Sequence, residues 1–350
     1  MAGTWTSQNK ILPGAYINFL TNAPLSITPG ERGIVVLLQE MSVGTEGERY
    51  VVTATDTSQY PSGITAADRL LAGEALKNAK TVILYNLGQA APHSSETVER
   101  ALAALKTVQF NVLCYPYGTV EHYDEQELIM TWINAMRSDE GVKMQYVTSN
   151  FEGDNEACIN VTCGVKLANG TTLTAEQTSA WVAGAAAGAG ISQSNTGKSY
   201  TGAVDVVPRM TKSEMETAIS SGEFIFKVDS AQNVTVVYDI NSLTTFSVDK
   251  NEAFRKNRVI RIIDGINNDI TTIFESNYVG KVNNNADGRS LLRSSLIEYF
   301  NALQGMSAIQ NFTADDVMVN AGTGSDAVVI NCYIQPVDSV EKIYITVNLS

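Results

Sequence analysis

The pattern of apolar and polar positions divides the first 200 residues into short strands and longer helices. Apolar runs predict buried strands, at 34–38, 49–55, 81–85, 110–115, 144–147 and 158–161. Helical spacing predicts helices, at 65–78, 94–106, 124–137 and 174–189. Leu128, Trp132 and Ala135 form the predicted apolar face of the third helix. Because strands and helices alternate from residue 81 onward, the pattern favours an α/β layer there.

The last third of the chain combines strands with two amphipathic helices. A strand at 204–207, a helix at 211–219 and a hairpin of 223–228 with 234–238 come first. A long helix over 251–276 then presents an apolar stripe, formed by Val259, Ile263, Ile266, Ile270 and Ile273. A second helix over 287–304 presents Leu292, Leu296, Tyr299 and Leu303. Strands at 317–319 and 328–334 complete a predicted α+β domain.

Both ends of the chain are strand-like and have no obvious hairpin partner. Residues 1–20 are extended in our prediction, since Pro13-Gly14 breaks a helix and Ala15, Ile17 and Phe19 then alternate with polar residues. The tail over 340–349 alternates in the same way. Such segments are either edge strands of their own domains or strands that add to a neighbouring chain.

Side-chain chemistry at the helix ends supports the predicted bounds. Thr65, Ser94 or Ser95, Thr174 and Thr211 stand where an N-cap is expected. Thr174 with Gln177 is close to a capping box. The Gly/Ala run 183–190 indicates a helix end packed closely on a neighbour.

Composition and charge narrow the class of protein. The 350 residues are 44% hydrophobic and 17% charged, which is typical of a folded protein of two or three domains. A formal charge of -13 argues against nucleic acid as the main partner. No apolar run approaches the roughly 20 residues of a membrane span, and the N-terminus lacks signal-peptide features. The cysteines fit reduced, mostly buried thiols, at positions 114, 158, 163 and 332.

No segment carries a convincing catalytic, metal or cofactor signature. The two histidines, His93 and His122, lie in polar, loop-like stretches, so we expect both at the surface. The segment 192–199 ends in Gly-Lys-Ser but has Ser192 where a P-loop requires glycine. The run 184–190 lies inside a predicted helix, which excludes a dinucleotide turn. The asparagine-rich stretch 283–288 fails the EF-hand spacing, and N-capping by Asn285 or Asp287 explains it. We therefore expect no catalytic residue, no metal and no cofactor.

Several blocks of sequence, in order, resemble one known family. They are Pro13-Gly14-Ala15-Tyr16-Ile17-Asn18-Phe19, Trp181-Val182-Ala183-Gly184-Ala185, Gly202-Ala203-Val204-Asp205-Val206, Asp239-Ile240-Asn241-Ser242-Leu243-Thr244-Thr245-Phe246, Lys256-Asn257-Arg258-Val259-Ile260-Arg261-Ile262-Ile263-Asp264, Asn277-Tyr278-Val279-Gly280-Lys281-Val282, Asp287-Gly288-Arg289 and Gln335-Pro336-Val337-Asp338-Ser339-Val340-Glu341-Lys342-Ile343-Tyr344. This run resembles the contractile-tail sheath proteins of myophages, defective prophages and R-type bacteriocins. The resemblance is strongest from about residue 181, and 40–170 carries little of it.

With the resemblance, the predicted fold class is multidomain α+β, with an α/β middle layer, an α+β C-terminal sheath-core domain and extended β-strand arms at both termini. The predicted divisions are an N-terminal arm (1–20), a β-rich domain (21–80), an α/β middle domain (81–200), the sheath core (201–338) and a C-terminal arm (339–350).

The resemblance implies a structural subunit that polymerises helically around a tail tube and contracts to drive the tube through a target cell envelope. Its expected partners are copies of itself, the tube protein, and baseplate and terminator proteins, without nucleic acid or membrane insertion. We expect synthesis in the bacterial cytoplasm and a place in a virion tail or a released bacteriocin-like particle. The implied subunit-exchange arms contain Tyr16, Ile17, Asn18, Phe19, Ile343, Tyr344, Ile345, Val347 and Leu349.

Local basic residues allow two interpretations. Four cations crowd at Arg255, Lys256, Arg258 and Arg261, and intramolecular ion pairing explains them as well as a surface patch does. The resemblance implies that the C-terminal domain faces the tube, for which Lys281, Arg289 and Arg293 are the candidate contacts. The main alternative function is a cytoplasmic α/β enzyme or ligand-binding protein that uses residues 80–190. A non-contractile tube or capsid subunit fits less well.

Overall fold

The computed structural model describes residues 32–89 and 91–347. The predicted N-terminal arm, with Tyr16, Ile17, Asn18 and Phe19, and the C-terminal Leu349 lie outside the described residues.

The described residues contain helices that match most of the predicted ones. The α-helices are α1 (Ala66–Leu76), α2 (Ser95–Leu105), α3 (Tyr123–Ser138), α4 (Ala175–Gly188), α5 (Lys212–Ser220), α6 (Asn257–Ile273) and α7 (Ala286–Gly305). Shorter turns are the 3₁₀ segments Val120–His122, Glu252–Arg255 and Ala314–Asp316, and the π-turn Phe274–Tyr278. The hydroxyl or amide oxygens of the predicted N-caps accept backbone N–H bonds as expected, at Thr65, Ser94, Thr174, Thr211 and Asn285.

The strands group into one large sheet and several small ones. They are β1 (Ile34–Gln39), β2 (Arg49–Val52), β3 (Thr81–Asn86), β4 (Val112–Cys114), β5 (Gln145–Ser149), β6 (Cys158–Val161), β7 (Gly164–Leu167), β8 (Thr172–Leu173), β9 (Ala203–Val207), β10 (Glu223–Phe224), β11 (Phe226–Val228), β12 (Val234–Val236), β13 (Ile309–Gln310), β14 (Val317–Ala321), β15 (Val328–Cys332) and β16 (Gln335–Pro336). The predicted hairpin forms between β11 and β12, whereas β10 instead joins β6.

The large sheet has the strand order β10-β6-β5-β4-β1-β3-β2. β2 is antiparallel to β3, and the other neighbours are parallel. Parallel strands are buried on both faces, which explains their continuous apolar sequence. On β1, Val35 and Leu37 pack with α1 and α4, and Val36 and Leu38 pack with α2 and α3.

The sheet crosses two of the predicted domain boundaries. β1 lies between β3 and β4, so residues on both sides of position 80 share one sheet. Beyond position 200, β9 pairs with β7 and β10 with β6. The local sequence pattern does not show which distant strands pair. For that reason the sequence suggested domain boundaries near positions 80 and 200. We refer to residues 32–242 as the central body and to residues 257–337 as the C-terminal body.

The buried face of α3 differs from the predicted one. Ile129, Ile133 and Met136 are buried, whereas Ala135 is exposed and Leu128 and Trp132 are only partly covered. The polar Gln126 also faces the core, because its amide donates to Thr148 Oγ1 and to the Ser149 carbonyl at 2.8 Å each. Because Gln126 is polar, the buried face of α3 does not form a continuous apolar stripe in the sequence, and the wrong face was predicted.

The C-terminal body packs α6 and α7 against the small strands. Leu292, Leu296, Tyr299 and Leu303 of α7 are buried in its core, as the sequence pattern predicts, and Phe300 joins them. α6 begins at Asn257 and not at 251, because residues 252–255 form a separate 3₁₀ turn. Its predicted stripe is mainly half-buried, while its opposite, polar side faces the central body.

Candidate functional site: the C-terminal arm and its anchor

The chain leaves the C-terminal body after β16. The last backbone bond to the body runs from Val337 N to the Ala308 carbonyl at 2.9 Å. Residues 342–347 are exposed and pair with no strand in the described part of the chain. Their apolar side chains are mostly in solvent, at 73% for Ile343, 79% for Ile345 and 75% for Val347. Tyr344 is 89% exposed. A run of exposed large apolar side chains is typical of a segment that binds a partner.

Before this exposed segment, Glu341 returns to the body and is buried there. Its side chain is 6% exposed. Oε1 accepts hydrogen bonds from Thr196 Oγ1 at 2.7 Å, Ser339 Oγ at 3.0 Å and Ser194 Oγ at 3.2 Å. Oε2 contacts the ammonium of Lys256. Burial alone would raise the pKa of Glu341, but the bonds from Lys256 and Thr196 outweigh burial and hold that pKa below its ordinary value.

Lys256 links the arm to both bodies. Its ammonium lies 3.3 Å from Asp338 Oδ2, 2.6 Å from the Tyr238 hydroxyl and 4.0 Å from the centre of the Tyr238 ring. Although burial opposes it, the hydrogen bond to Glu341 raises the pKa of Lys256 above its ordinary value. The ion pair is therefore fully charged at neutral pH.

The other predicted cations near Lys256 are also used internally. Arg261 is fully buried, with Nη2 3.6 Å from Asp239 Oδ2 and Nη1 bonded to the Gln193 carbonyl at 2.5 Å. Arg258 Nη2 donates to the Ser307 carbonyl at 3.1 Å. Of the two interpretations left open by the sequence, intramolecular pairing is the correct one for Lys256 and Arg261. Their carboxylate partners are distant in sequence, so the local charge run looked like a surface patch.

A two-stranded antiparallel sheet in the C-terminal body presents free edges. β14 and β15 pair over five residues each, from Val317↔Cys332 to Ala321↔Val328. In the described residues no further strand joins either outer edge. Met318 and Val329 are 40% and 47% exposed. A lone hairpin is marginally stable, so this one is suited to receive additional strands.

The three predicted tube-facing cations lie around the start of α7. Arg293 Nε donates to the Val317 carbonyl at 2.8 Å, and Arg289 Nη1 donates to Asn284 Oδ1 at 3.0 Å. Lys281 Nζ bonds to the Ser276 carbonyl. All these acceptors are neutral, and within residues 32–89 and 91–347 no carboxylate forms an ion pair with any of the three. None of the three is therefore held in an ion pair by a described carboxylate.

The prediction for the two histidines was wrong. His93 and His122 are 4% and 7% exposed, and their rings stack with centres 5.0 Å apart and planes at 10°. His93 Nδ1 lies 2.7 Å from Glu40 Oε1, and Nε2 lies 2.8 Å from the Tyr115 hydroxyl. The Tyr115 hydroxyl also lies 3.3 Å from His122 Nδ1. Glu40 follows β1, His93 follows β3 and Tyr115 follows β4. The carboxyl ends of neighbouring parallel strands lie at one sheet edge, so the positions of these residues after predicted strands were the signal for a shared cluster.

That sheet edge is where an α/β enzyme would bind its ligand. β1 has β3 on one side and β4 on the other, which makes the carboxyl end of β1 the topological switch point. Here the crevice is filled, since Tyr117 packs at 4.8 Å from His93 and its hydroxyl accepts from Glu40 N at 2.7 Å. Packed side chains thus occupy the place where the alternative function in residues 80–190 would bind a ligand.

The described residues also include an open cleft and free thiols. An open cleft of about 350 Å³ is lined by Glu152, Asp154, Ser220, Ser221, Ser242 and Thr244. Among the described residues, no three His, Cys, Asp or Glu side chains are grouped to hold a metal ion. Cys114, Cys158 and Cys163 are buried free thiols, and burial raises the pKa of each to about 12. No described helix is both long and apolar enough to span a membrane.

The chain matches three sequence models of protein families. They are the phage tail sheath C-terminal domain over residues 249–350, the phage tail sheath protein central domain over 63–242, and the tail sheath protein Gp18 domain III N-terminal region over 32–87. The first two meet between 242 and 249, close to the division between the central and C-terminal bodies.

Two curated relatives cover much of the chain. The phage-like element PBSX protein XkdK of Bacillus subtilis is 34% identical over 309 residues, which are 85% of this chain and 66% of that protein. The tail sheath protein of Clostridium phage phiCD119 is 32% identical over 219 residues, which are 62% of this chain and 60% of that protein. The chain thus spans less than two thirds of the length of either relative.

Solved structures with the same fold include two at substantial identity. The sheath tail protein of Desulfitobacterium hafniense aligns with a TM-score of 0.84 and 33% identity, over 95% of this chain and 99% of that one. The sheath tail protein of Listeria innocua gives 0.79 and 27%, over 91% and 95%. The helical sheath of the anti-feeding prophage in its contracted state gives 0.74 at 15% identity, over 97% and 99%, a likeness of fold.

Proposed function

This chain belongs to the phage tail sheath protein family, and we propose that it is the subunit of a contractile sheath. Many copies would polymerise helically around a tail tube, and contraction would drive the tube through a target cell envelope. The observation that carries the proposal is the C-terminal arm, whose apolar residues 343–347 leave the body exposed and unpaired. A monomer gains nothing from such a segment, whereas a polymer buries it.

The arm and the β14–β15 hairpin complement each other. Within the described residues, the arm is an extended segment that pairs with no sheet, and no further strand joins either outer edge of the hairpin. If the arm of one subunit adds to the hairpin of the next, the contact is head-to-tail and does not close on itself, which gives an open helical polymer. We assign Ile343, Tyr344, Ile345 and Val347 to this exchange, together with Leu349 and the N-terminal segment that holds Tyr16, Ile17, Asn18 and Phe19.

Exchanged strands also suit contraction. Backbone hydrogen bonds between subunits keep the sleeve connected while the globular bodies change their packing. The subunits would have two packings, and the extended one would be metastable. New contacts between subunits, formed in the contracted packing, would supply the work. No nucleotide is required in this scheme, and the filled crevice beside Tyr117 is consistent with it.

The tube contact is assigned to Lys281, Arg289 and Arg293. Because no described carboxylate forms an ion pair with them, they would attract an acidic surface. Exposed ion pairs are weak and screened by salt, which suits a contact that must release during contraction. Sheaths assembled on tubes of the same particle from Lys281→Glu subunits should detach at lower salt than the parent. Detachment of the Lys281→Glu sheaths at a higher salt concentration than the parent would show that Lys281 is not part of the tube contact.

Further proposed partners are a baseplate at one end of the sleeve and a terminator at the other. Synthesis would take place in the bacterial cytoplasm, and the assembled sheath would form part of a virion tail or a released bacteriocin-like particle.

The test is to express the full chain alone and to image it by negative-stain electron microscopy beside a version that ends at Asp338. Long hollow sleeves from the full chain and none from the shorter version are expected. Sleeves from both would keep the sheath assignment and remove the C-terminal arm from it. Compact particles of two to six subunits, unchanged by concentration, would overturn the sheath proposal.

A further inference from the structure

The segment between the C-terminal body and the exposed arm is attached by side chains alone. Within the described residues, no backbone bond joins residues 338–347 to the rest of the chain after Val337 N. The attachment is made by Asp338, at 40% side-chain exposure, and by Glu341, at 6%. Glu341 is therefore the buried fixed point from which the arm starts.

The socket of Glu341 is built from the central body and from Lys256, the residue that directly precedes the C-terminal body. Thr196 follows α4 in the central body, whereas Lys256 directly precedes α6 of the C-terminal body. Thr196 Oγ1 donates to Glu341 and also accepts from Asp239 N at 2.9 Å. Asp239 in turn accepts from Asn257 Nδ2 on α6 at 2.9 Å. The same hydrogen-bond network that joins the two bodies thus holds the root of the arm.

Fixing the root limits where the arm can go. From Glu341, the six described residues 342–347 reach about 20 Å as a strand. If the arm were free from Val337 onward, residues 338–341 would lengthen its reach by about 13 Å and would let it leave the body in many more directions. Strand addition requires one register, because a slip of one residue turns every side chain to the opposite face. A buried start point excludes most of the wrong registers and directions before the arm binds the next subunit.

We propose that Glu341, held by Lys256 and Thr196, is the positioning residue that sets the start and register of C-terminal arm exchange between subunits. The inference rests on the proposed sheath function and adds to it the group that controls the exchange. Loss of the Glu341 charge leaves Asp338 as the one carboxylate that pairs with Lys256 in the described residues, and it frees the root of the arm. The polymer is then weakened, and none of the hydrophobic cores contains Glu341, Lys256 or Thr196.

The experiment compares four forms of the full chain with one truncation. Glu341→Gln removes the charge, Thr196→Val removes the hydroxyl donor, and Thr196→Ser keeps it. Glu216→Gln opens an exposed 3.6 Å pair with Lys212 on α5 and serves as the matched control. A version that ends at Glu341 retains the anchor and loses the exposed arm. Each is assayed for the protein concentration at which sleeves form, and a spin label at Val340, which is 83% exposed, reports the mobility of the root.

We expect Glu341→Gln and Thr196→Val to raise that concentration about tenfold and to mobilise the label. Thr196→Ser and Glu216→Gln should match the parent in assembly, label mobility and melting temperature. Glu341→Gln and Thr196→Val should also lower the melting temperature, because each leaves a buried group without its partner, so sleeves are assayed well below the unfolding transition of every form. Parental sleeves and an unchanged label for Glu341→Gln would overturn the inference, while loss of sleeves in the version ending at Glu341 would still support the sheath function. If the full chain forms no sleeves at all, the proposed function fails, and the inference fails with it.

Discussion

The carboxylate of Asp264 on α6 accepts a hydrogen bond on each oxygen from the guanidinium of Arg137 on α3, at 2.7 and 2.9 Å. This bidentate pair joins the C-terminal body to the central body and is almost fully buried. Beside it, the Asn268 side chain accepts from Lys143 N at 2.9 Å and donates to the Lys143 carbonyl at 2.7 Å. The polar side of α6 is thus an interface between bodies, which explains why it carries charges that are not in solvent.

Breaking the Arg137–Asp264 pair from one side should be costly. Burial raises the pKa of Asp264 despite the opposing effect of Arg137, so this carboxylate depends on its partner to remain charged. We expect Arg137→Met to lower the free energy of unfolding by roughly 3 kcal/mol, at the lower end for a buried pair because Arg32 and Lys143 are also near. Urea unfolding measures it. Adding Asp264→Asn should restore part of the loss, and a loss below about 1 kcal/mol would contradict the argument.

The contact between α1 and α4 depends on glycine. A Cβ on Gly184 would lie 2.2 Å from the Ala75 carbonyl oxygen, and one on Gly188 would lie 2.0 Å from that of Asn78. Gly184→Ala should therefore destabilise the chain by about 1–3 kcal/mol or more through overpacking. Gly305→Ala, where nothing lies within 4 Å, is the control and should be neutral or stabilising by up to about 1 kcal/mol. Thermal unfolding compares them, and equal effects would refute the close packing.

The Gly/Ala contact also illustrates what the sequence could provide. Helix starts were predictable because a capping side chain acts within its own turn, as at Thr174 and Thr211. Close packing at Gly184 was predictable in kind, since small residues in a helix allow close approach. The partner helix was not, because α1 precedes α4 by about a hundred residues.

The failures have a common physical origin. His93 and His122 have polar neighbours in sequence, and only the parallel pairing of β1, β3 and β4 brings them into one buried cluster. Lys256 looked like part of a basic patch, although Glu341 neutralises it from 85 positions away. Interactions that depend on tertiary pairing leave no local periodicity, so the anchor of the arm could not be derived from the pattern around it.

The histidine cluster predicts a pH dependence of stability. Burial lowers the pKa of His93, although the bond to Glu40 opposes it and His122 and Glu125 act in opposite directions. Below about pH 6.5 the unfolded chain takes up a proton that folded His93 does not. Stability should therefore fall as pH decreases through that value, by at most about 1.4 kcal/mol per pH unit, and level off below the folded pKa.

His93→Gln should reduce this slope. Unfolding is measured between pH 5.5 and 7.5. In this range histidine is the side chain whose ordinary pKa leads to a change of charge, and the chain has two histidines. His122→Gln, which removes the other stacked ring, is the matched comparison. An unchanged slope for His93→Gln would mean that His93 has the same pKa in the folded and unfolded chains, because the bond to Glu40 at 2.7 Å offsets the effect of burial.

The exposed arm predicts a difference between two adjacent residues. In an added strand, Ile343, Ile345 and Val347 share one face and Tyr344 and Thr346 the other. Ile345→Lys puts a charge on the face that would be buried against the neighbouring subunit, whereas Thr346→Lys puts the same charge beside it, on the other face. Both positions are exposed in the subunit, so neither change should alter its melting temperature. Electron microscopy should show sleeves from Thr346→Lys and none from Ile345→Lys. If both abolish sleeves equally, the arm does not bind through one face of a strand, because only a strand distinguishes neighbours in this way.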